Sequence, residues 1–217
     1  MGVLKSYLIM DDERWFPRFA EIPGIQYEPP KGLDFSHLPD RGKVPEIDYY
    51  EFDGKRHKSI MWRSGDTSTS ASPAKEWKTI PRPDETEATT ILRQVYETLE
   101  LPGTLSDYHF ALQNAHNELS NYIGKEFWVS AQVERLCRLN IILIDKYPET
   151  ISYENDEGIH YARVTAFGRL RNFYENEGFL RESLHIARLA NKFYEQNDVI
   201  EDLEERIRLI EIEDDYA

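Results

Sequence analysis

The strongest constraint on the fold is a change of pattern near residue 84. Eight of the eleven prolines lie before residue 82, whereas the later sequence repeats apolar residues at the spacing of amphipathic helices. Proline interrupts helices and cannot donate to a central ladder of strand hydrogen bonds. The sequence therefore predicts an α+β fold, mainly α. A bundle or repeat-like array of about six antiparallel helices would carry a small β-containing N-terminal subdomain.

This change of pattern divides the chain into three segments. Residues 1–63 are expected to form a small, proline-rich β or irregular subdomain that docks on the helices, because so short a segment buries little surface alone. Residues 64–83 begin with a run of serine and threonine and are predicted to be a linker or loop. Residues 84–217 are predicted to form the helical domain.

Strand signals are confined to the first segment. Residues 7–10 are apolar enough for a short strand. Residues 47–52 and 59–62 flank Asp53-Gly54 and predict a β-hairpin, because a tight turn with positive φ at both central residues favours Asp-Gly. The proline-rich stretch at 23–45 is predicted to wrap over another part of the molecule.

The helices are predicted from caps, breakers and apolar stripes. Asp84 with Glu87 indicates the start of the first helix and Ser106 the start of the second, because these side chains accept hydrogen bonds from free backbone amides. The remaining helices are predicted at about residues 126–146, 158–176 and 180–196, and from Asp198 with Glu201 onward.

The fourth and fifth predicted helices carry one recognisable pattern, which consists of Phe167, Leu170 and Tyr174, Gly178 at the turn, and Ser183, Ala187 and Ala190. It resembles a tetratricopeptide-repeat (TPR) unit, in which large residues of one helix meet small residues of the next. The resemblance covers about 35 residues well. It implies a protein-binding scaffold and not an enzyme. An ordinary helical hairpin with small residues at its interface would show the same pattern.

The TPR-like pattern has departures that limit what it implies. Asn172 falls where such units often place an asparagine that holds the backbone of a bound peptide. Gly168 stands where a carboxylate-binding groove would need a basic residue, so binding of a carboxylate tail is not expected. Arg171 replaces a usual small residue, and Glu195 a frequent proline.

Charge is the other informative feature. The 40 acidic residues exceed the 26 Lys and Arg residues by 14, and the whole excess lies after residue 83. Such a chain is not expected to bind bulk nucleic acid. A basic stretch at 160–192 precedes an acidic one at 195–217, so the two either complement each other in the fold or steer a basic partner. The predicted partner-binding residues are Arg169, Asn172, Arg181, Arg188, Glu201 and Glu205.

Composition sets further expectations. The one cysteine, Cys137, excludes an internal disulfide and a zinc site built on several thiolates. The N-terminus lacks the apolar core of a signal peptide, and no apolar run is long enough to span a membrane. We expect a cytoplasmic protein without membrane association. The apolar run at 139–143 indicates a central helix of the bundle, with a homodimer interface as the alternative.

Candidate metal ligands and catalytic groups are weak, so no cofactor, metal site or catalytic residue is predicted. Two Glu-x-x-His pairs, ending at His160 and His185, lie too far apart to share metals, because the helical rise separates them by about 15 Å. His109 and His116 can share a helix face but need a third ligand. Asp11-Asp12-Glu13 is a candidate magnesium site, for which a solvated acidic turn is the simpler interpretation.

Three functional hypotheses follow. The first is a non-catalytic protein–protein interaction module that uses a TPR-like helical surface. The second is an acidic inhibitor or immunity protein that neutralises a basic partner such as a bacterial toxin. The third is an enzyme, hydrolytic or metal-dependent, with its site where the N-terminal part meets the helices and with Asp11-Asp12-Glu13 as its best residues.

Overall fold

The structure, a computed structural model, describes residues 14–39, 42–155 and 158–215. Contacts divide the chain at Thr150 and Ile151. We call the described residues up to Thr150 the N-terminal unit and those from Ile151 the C-terminal unit. The predicted class, α+β and mainly α, is confirmed, since the described residues form seven α-helices and several short antiparallel strands. The division falls inside the stretch that the sequence pattern assigns to one helical domain.

The N-terminal unit contains five strands and four α-helices among its described residues. The strands are β1 (Trp15–Phe16), β2 (Glu46–Phe52), β3 (Lys55–Ser64), β4 (Thr67–Thr69) and β5 (Gly103–Thr104). The helices are α1 (Pro73–Glu76), α2 (Glu87–Leu99), α3 (Leu105–Leu119) and α4 (Val129–Lys146). β1 pairs with β5, and β2, β3 and β4 form an antiparallel sheet in that order.

The core of the N-terminal unit lies between α2, α3 and α4. Leu99, Leu112 and Leu136 are fully buried there. The N-terminal chain covers this core, because Phe19 is buried against Tyr108 of α3 with ring centroids 5.6 Å apart. Hydrogen bonds from Tyr147 to the Pro23 carbonyl (2.7 Å) and from Arg135 to the Glu28 carbonyl (2.6 Å) fasten the start of the proline-rich stretch to α4 and the residue after it.

The predicted β-hairpin is present and longer than expected. Asp53 and Gly54 both have positive φ (53° and 69°), as the tight turn requires. The predicted loop at 64–83 differs from the structure, because Thr67–Thr69 adds a third strand to β3 and Pro73–Glu76 forms a short helix. Ser72 caps that helix by accepting from the Lys75 amide at 3.0 Å.

The C-terminal unit contains β6 (Ser152–Asn155), β7 (Gly158–Tyr161), α5 (Thr165–Asn176), α6 (Leu180–Ala190) and α7 (Asn197–Asp215). β6 and β7 pair antiparallel. Phe167, Leu170 and Tyr174 form the buried face of α5, and Ser183, Ala187 and Ala190 lie on the buried face of α6. A small apolar cluster of Leu184, Ala187 and Leu203 joins α6 to α7.

Several predicted helix boundaries were wrong, and a nearer capping side chain or a strand explains three of them. Thr86, not Asp84, caps α2 by accepting from the Thr89 amide. Thr104, not Ser106, caps α3 in a reciprocal arrangement with Asp107. The predicted helix at 158–176 begins only at Thr165, because residues 158–161 pair with β6. The predicted helix at 180–196 ends at Ala190.

Candidate interaction surfaces

The predicted partner-binding residues lie on the three helices of the C-terminal unit. Arg169 and Asn172 lie on α5, and the Asn172 side-chain oxygen accepts from Arg171 at 3.0 Å. Arg181 and Arg188 lie on α6, and Glu201 and Glu205 lie on α7 with their side chains exposed. Glu205 is held by Arg208 at 2.7 Å, and the hydrogen bonds from Arg208 lower the pKa of that carboxyl group.

The basic and acidic helices of the C-terminal unit are joined by ion pairs. Arg181 binds Glu211 at 2.6 Å and Arg188 binds Glu204 at 2.7 Å, so α6 cations meet α7 carboxylates. In the opposite sense, Arg206 of α7 binds Glu175 of α5 at 3.1 Å. Two of the predicted partner-binding arginines, Arg181 and Arg188, therefore pair with carboxylates of the same unit. Pairing of the basic and acidic stretches within the fold was one of the two interpretations of the charge pattern.

The β2–β3 hairpin, residues 46–64, exposes a group of large apolar side chains in the N-terminal unit. Its four large apolar residues on β2 are each more than half exposed, namely Ile47, Tyr49, Tyr50 and Phe52 (51–55%). Burial begins only at Ile60 and Trp62 of β3, and Trp62 packs edge-on against Trp15 with centroids 5.8 Å apart. The hairpin is thus anchored at one end and open to solvent over most of its length.

The register shows which backbone groups of β2 face outward. Phe52 pairs with Lys55 across the two-residue turn, so these two residues exchange both of their backbone hydrogen bonds. Bonded and non-bonded pairs alternate along the strands, which leaves the N–H and C=O groups of Ile47, Tyr49 and Glu51 pointing away from β3. The Tyr49 amide accordingly donates to the Asp48 side chain at 2.9 Å instead of to β3.

Charge is separated across the width of the hairpin. β2 carries Glu46, Asp48 and Glu51, whereas β3 carries Lys55, Arg56, Lys58 and Arg63. Glu51 is directly opposite Arg56, but Asp48 is opposite Ser59 and Glu46 is opposite Met61. Glu46 is instead reached by Arg63 at 2.7 Å. The open side of the hairpin is therefore acidic and the inner side basic.

Rings and cations also stack on the two faces of the hairpin. Arg56 lies over the Tyr49 ring at 4.2 Å on one face. On the other face, Tyr50 stacks on His57 with centroids 5.3 Å apart. These contacts engage Arg56 and His57 of the basic run at 55–58.

A second exposed apolar surface is the loop before α4. Phe127 is 99% exposed and Ile123 is 42% exposed, next to a shallow depression of about 590 Å³ that Gly124, Lys125 and Trp128 help to line. The Lys125 ammonium lies over the Tyr122 ring at 5.3 Å. Neighbouring exposed apolar residues of this kind are typical of a contact surface. The depression is lined by both polar and apolar groups.

The most ordered polar site of the N-terminal unit surrounds the buried Glu97 of α2. Its Oε1 accepts from Arg93 at 2.9 Å and bonds His37 at 3.0 Å, and its Oε2 accepts from Trp77 at 2.9 Å and from Thr79 at 2.5 Å. Burial alone would raise the pKa of Glu97, but the hydrogen bonds from Thr79, Trp77 and Arg93 outweigh it and lower the pKa. All four lone-pair positions of the carboxylate are used, so the site fastens three chain segments together.

Arg93 extends this network to Glu85. Its Nε and Nη2 donate to the Glu85 carboxylate at 2.7 and 2.6 Å, a two-point contact that lowers the Glu85 pKa to about 2. Nη2 also donates to the Ile80 carbonyl at 2.8 Å. Four of the five N–H donors of the arginine are used by protein groups, which makes the cluster a structural strap between α2 and the preceding segment.

The histidines considered as metal ligands lie in different environments. His109 is buried and its Nδ1 lies 2.8 Å from the Asn140 side-chain oxygen, with burial lowering its pKa against the opposing effect of that contact. His160 lies on β7 and not on a helix, and stacks on Tyr153 at 5.5 Å. Within the described parts of the chain, no group of three or more His, Cys, Asp or Glu side chains is placed to hold a metal ion.

The remaining sequence candidates have a simple outcome. Cys137 is a buried thiol on α4. Asp11-Asp12-Glu13 and the predicted strand at 7–10 lie outside the described residues, as does Glu157. Across residues 14–39, 42–155 and 158–215, no helix is both long and apolar enough to cross a membrane.

Comparison with known proteins adds no relative to this description. No protein-family model, curated protein sequence or solved structure matches the chain. The candidate surfaces therefore depend on geometry alone. The sequence pattern predicts the hairpin but not its exposure. A signal for that exposure was the change of phase between Tyr49 and Tyr50, which puts large apolar residues on both faces of β2.

Proposed function

We propose that this protein is a non-catalytic protein–protein interaction module. The observation that carries the proposal is the β2–β3 hairpin, on which Ile47, Tyr49, Tyr50 and Phe52 are held by a paired backbone and yet each remain more than half exposed. Aromatic residues fixed in this way are typical contact residues, because little side-chain entropy is lost when a partner covers them.

In this proposal the TPR-like helices are a second, less important binding surface. Their large and small residues pack α5 against α6, and several of their charged residues are already paired with α7. The predicted contact residues Asn172 and Glu201 remain exposed. Arg181 and Arg188, two of the predicted contact residues of this helical surface, are engaged within the unit.

The acidic-inhibitor hypothesis is supported by a net charge of −14 and by the acidic open side of the hairpin. In that form the partner is a basic protein, and the cytoplasmic location expected from the sequence is part of the same proposal. Association would be fast at low salt and would weaken as salt screens the charges. The enzyme hypothesis has its best residues, Asp11-Asp12-Glu13, outside the described part of the chain.

The test is affinity capture of binding proteins from a lysate of the source organism, with the full chain as bait. The variant Tyr50→Ser/Phe52→Ser removes two exposed rings from the hairpin, and Phe127→Ser serves as the control on the other exposed surface. We expect one stoichiometric partner that the hairpin variant loses and the control retains. If both variants retained the partner equally, the hairpin would not be the binding surface. Loss of the partner at high salt would favour the acidic inhibitor.

A further inference from the structure

The hairpin carries a more specific inference, which rests on the proposed function. We propose that the outer edge of β2 binds an extended segment of a partner protein as an added antiparallel strand, and that this segment carries lysine or arginine at alternate positions. The edge is the row of outward backbone groups at Ile47, Tyr49 and Glu51.

The backbone of β2 is suited to strand addition. Seven consecutive residues are held in register by β3, and in the described sheet β2 has no neighbour on its other side. An added strand can exchange N–H···O=C bonds with the outward groups of residues 47, 49 and 51. The Asp48 side chain, which accepts from the Tyr49 amide, holds the place that a carbonyl of the added strand would take.

Charge identifies the class of partner. Neighbouring strands lie about 4.8 Å apart, so an added strand would lie about 5 Å from β2 and about 10 Å from β3. Since the Debye length is about 8 Å at physiological salt, the carboxylates of β2 act on the added strand more strongly than the cations of β3. Glu46 and Asp48 lie two residues apart on one face of the sheet. Glu46 already contacts Arg63 at 2.7 Å, but both side chains are more than half exposed, so a partner's cation can replace Arg63 at little cost. A strand with cations at the same spacing complements them, with apolar side chains opposite Ile47 and Tyr49 on the other face.

The same argument disfavours a second copy of this chain as the occupant. If two β2 edges paired with each other, each would bring Glu46, Asp48 and Glu51 to the same narrow interface. Like charges across strands are destabilising.

The experiment uses the full-length protein and two synthetic probes, an eight-residue peptide of alternating lysine and valine and its glutamate counterpart. Tyr49→Pro removes an outward N–H and blocks the edge, while the ladder to β3 keeps its donors, because the Tyr49 amide does not bond β3. Tyr49→Thr is the matched control, since it removes the same ring but keeps the N–H. Amide exchange in β3 verifies that the hairpin is intact in both variants.

We expect the lysine peptide to bind the natural chain and to protect the amides of residues 47, 49 and 51 from exchange. Affinity should fall at least about tenfold in Tyr49→Pro and only about threefold in Tyr49→Thr. Equal binding by the proline variant, equal binding of the glutamate peptide, or no binding of the lysine peptide at about 1 mM would each overturn the inference.

Two further outcomes separate this inference from the proposed function. If Tyr49→Pro still captured the native partner, the proposal of an interaction module would remain, but strand addition would not be its binding mode. Concentration-dependent dimers that Tyr49→Pro abolishes would make the occupant a second copy and overturn the assignment of a basic segment. Sedimentation of the natural chain at two concentrations and two salt levels measures this directly.

Discussion

Arg93 and Glu97, one turn apart on α2, form a buried ion pair of 2.9 Å that joins α2 to the chain segments containing Trp77 and His37. Replacing Glu97 with glutamine keeps the shape of the side chain but removes its charge, so that Arg93 keeps one carboxylate partner, Glu85. It also replaces one acceptor oxygen with an NH2 group, so the donors around position 97 share a single acceptor oxygen. We expect a loss of about 3 kcal/mol in the free energy of unfolding, measured by urea titration. Glu149→Gln, which breaks the exposed pair with Arg14, should cost less than about 1 kcal/mol.

The same strap predicts how stability responds to acid. The pKa of Glu85 is about 2 in the folded chain against an ordinary value of 4.5, and that of Glu97 is also lowered. A lowered carboxyl pKa contributes stability that is complete above about 4.5 and is lost as the pH falls through the folded-state value. We expect the melting temperature to decrease between about pH 4.5 and 2. The decrease should be shallower in Glu85→Gln, and an unchanged slope would refute this account.

Burial of His109 predicts a second pH effect at higher pH. Its pKa lies below the ordinary 6.5 because burial disfavours the imidazolium. The unfolded chain therefore takes up a proton below about pH 6.5 that the folded chain does not, and stability falls as the pH drops through this window. His109→Gln should remove this part of the slope, whereas His185→Gln, an exposed control, should leave it intact. Guanidinium titrations at pH 7.5 and 5.5 give the comparison.

The ion pair between Arg188 and Glu204 is expected to contribute little to stability, because both side chains are about half exposed. A double-mutant cycle with alanine at both positions should give a coupling of about 0.2–1 kcal/mol, and 1 M salt should reduce it. A coupling above about 2 kcal/mol would mean that the helices of the C-terminal unit depend on charge more than their geometry suggests.

Apolar packing should matter more than charge in the C-terminal unit. Leu203 is fully buried against Leu184 and Ala187, so Leu203→Ala leaves a cavity and should cost about 3 kcal/mol. Leu209, on the same helix and half exposed, is the matched control, for which less than about 1 kcal/mol is expected. Amide exchange would show where the effect lies: we expect the amides of α7 to lose protection in Leu203→Ala and to keep it in Leu209→Ala.

Local chemistry made much of the fold predictable. Asp53-Gly54 placed the hairpin turn correctly because few other residue pairs accept two positive φ values. The apolar stripes located the helices of both units, and Gly178 located the turn before α6, where its φ is 81°. These features depend on neighbouring residues, so a single sequence is sufficient to reveal them.

Other features were not predicted correctly. The sequence pattern predicts helix at 158–161, where the structure has a strand paired with residues 152–155, because a four-residue strand is too short for its period to be recognised. The network around Glu97 joins His37, Trp77 and α2 across as many as 60 positions, and no spacing in the sequence indicates it. Charge predicts the arginines and glutamates of the site and the TPR resemblance predicts Asn172, but neither reveals that Arg181 and Arg188 already have partners in the same unit.

The hydrogen bond from Tyr147 to the Pro23 carbonyl joins residues 124 positions apart. A ribosome makes the chain from its N-terminus, so Pro23 emerges long before the residue that will hold it. Until α4 and Tyr147 have been synthesised, the start of the proline-rich stretch and the apolar face of α3 lack the residues that they pack against in the folded protein. We therefore expect the nascent N-terminal unit to be a substrate for chaperones until its last helix is complete, and to fold late and in one step.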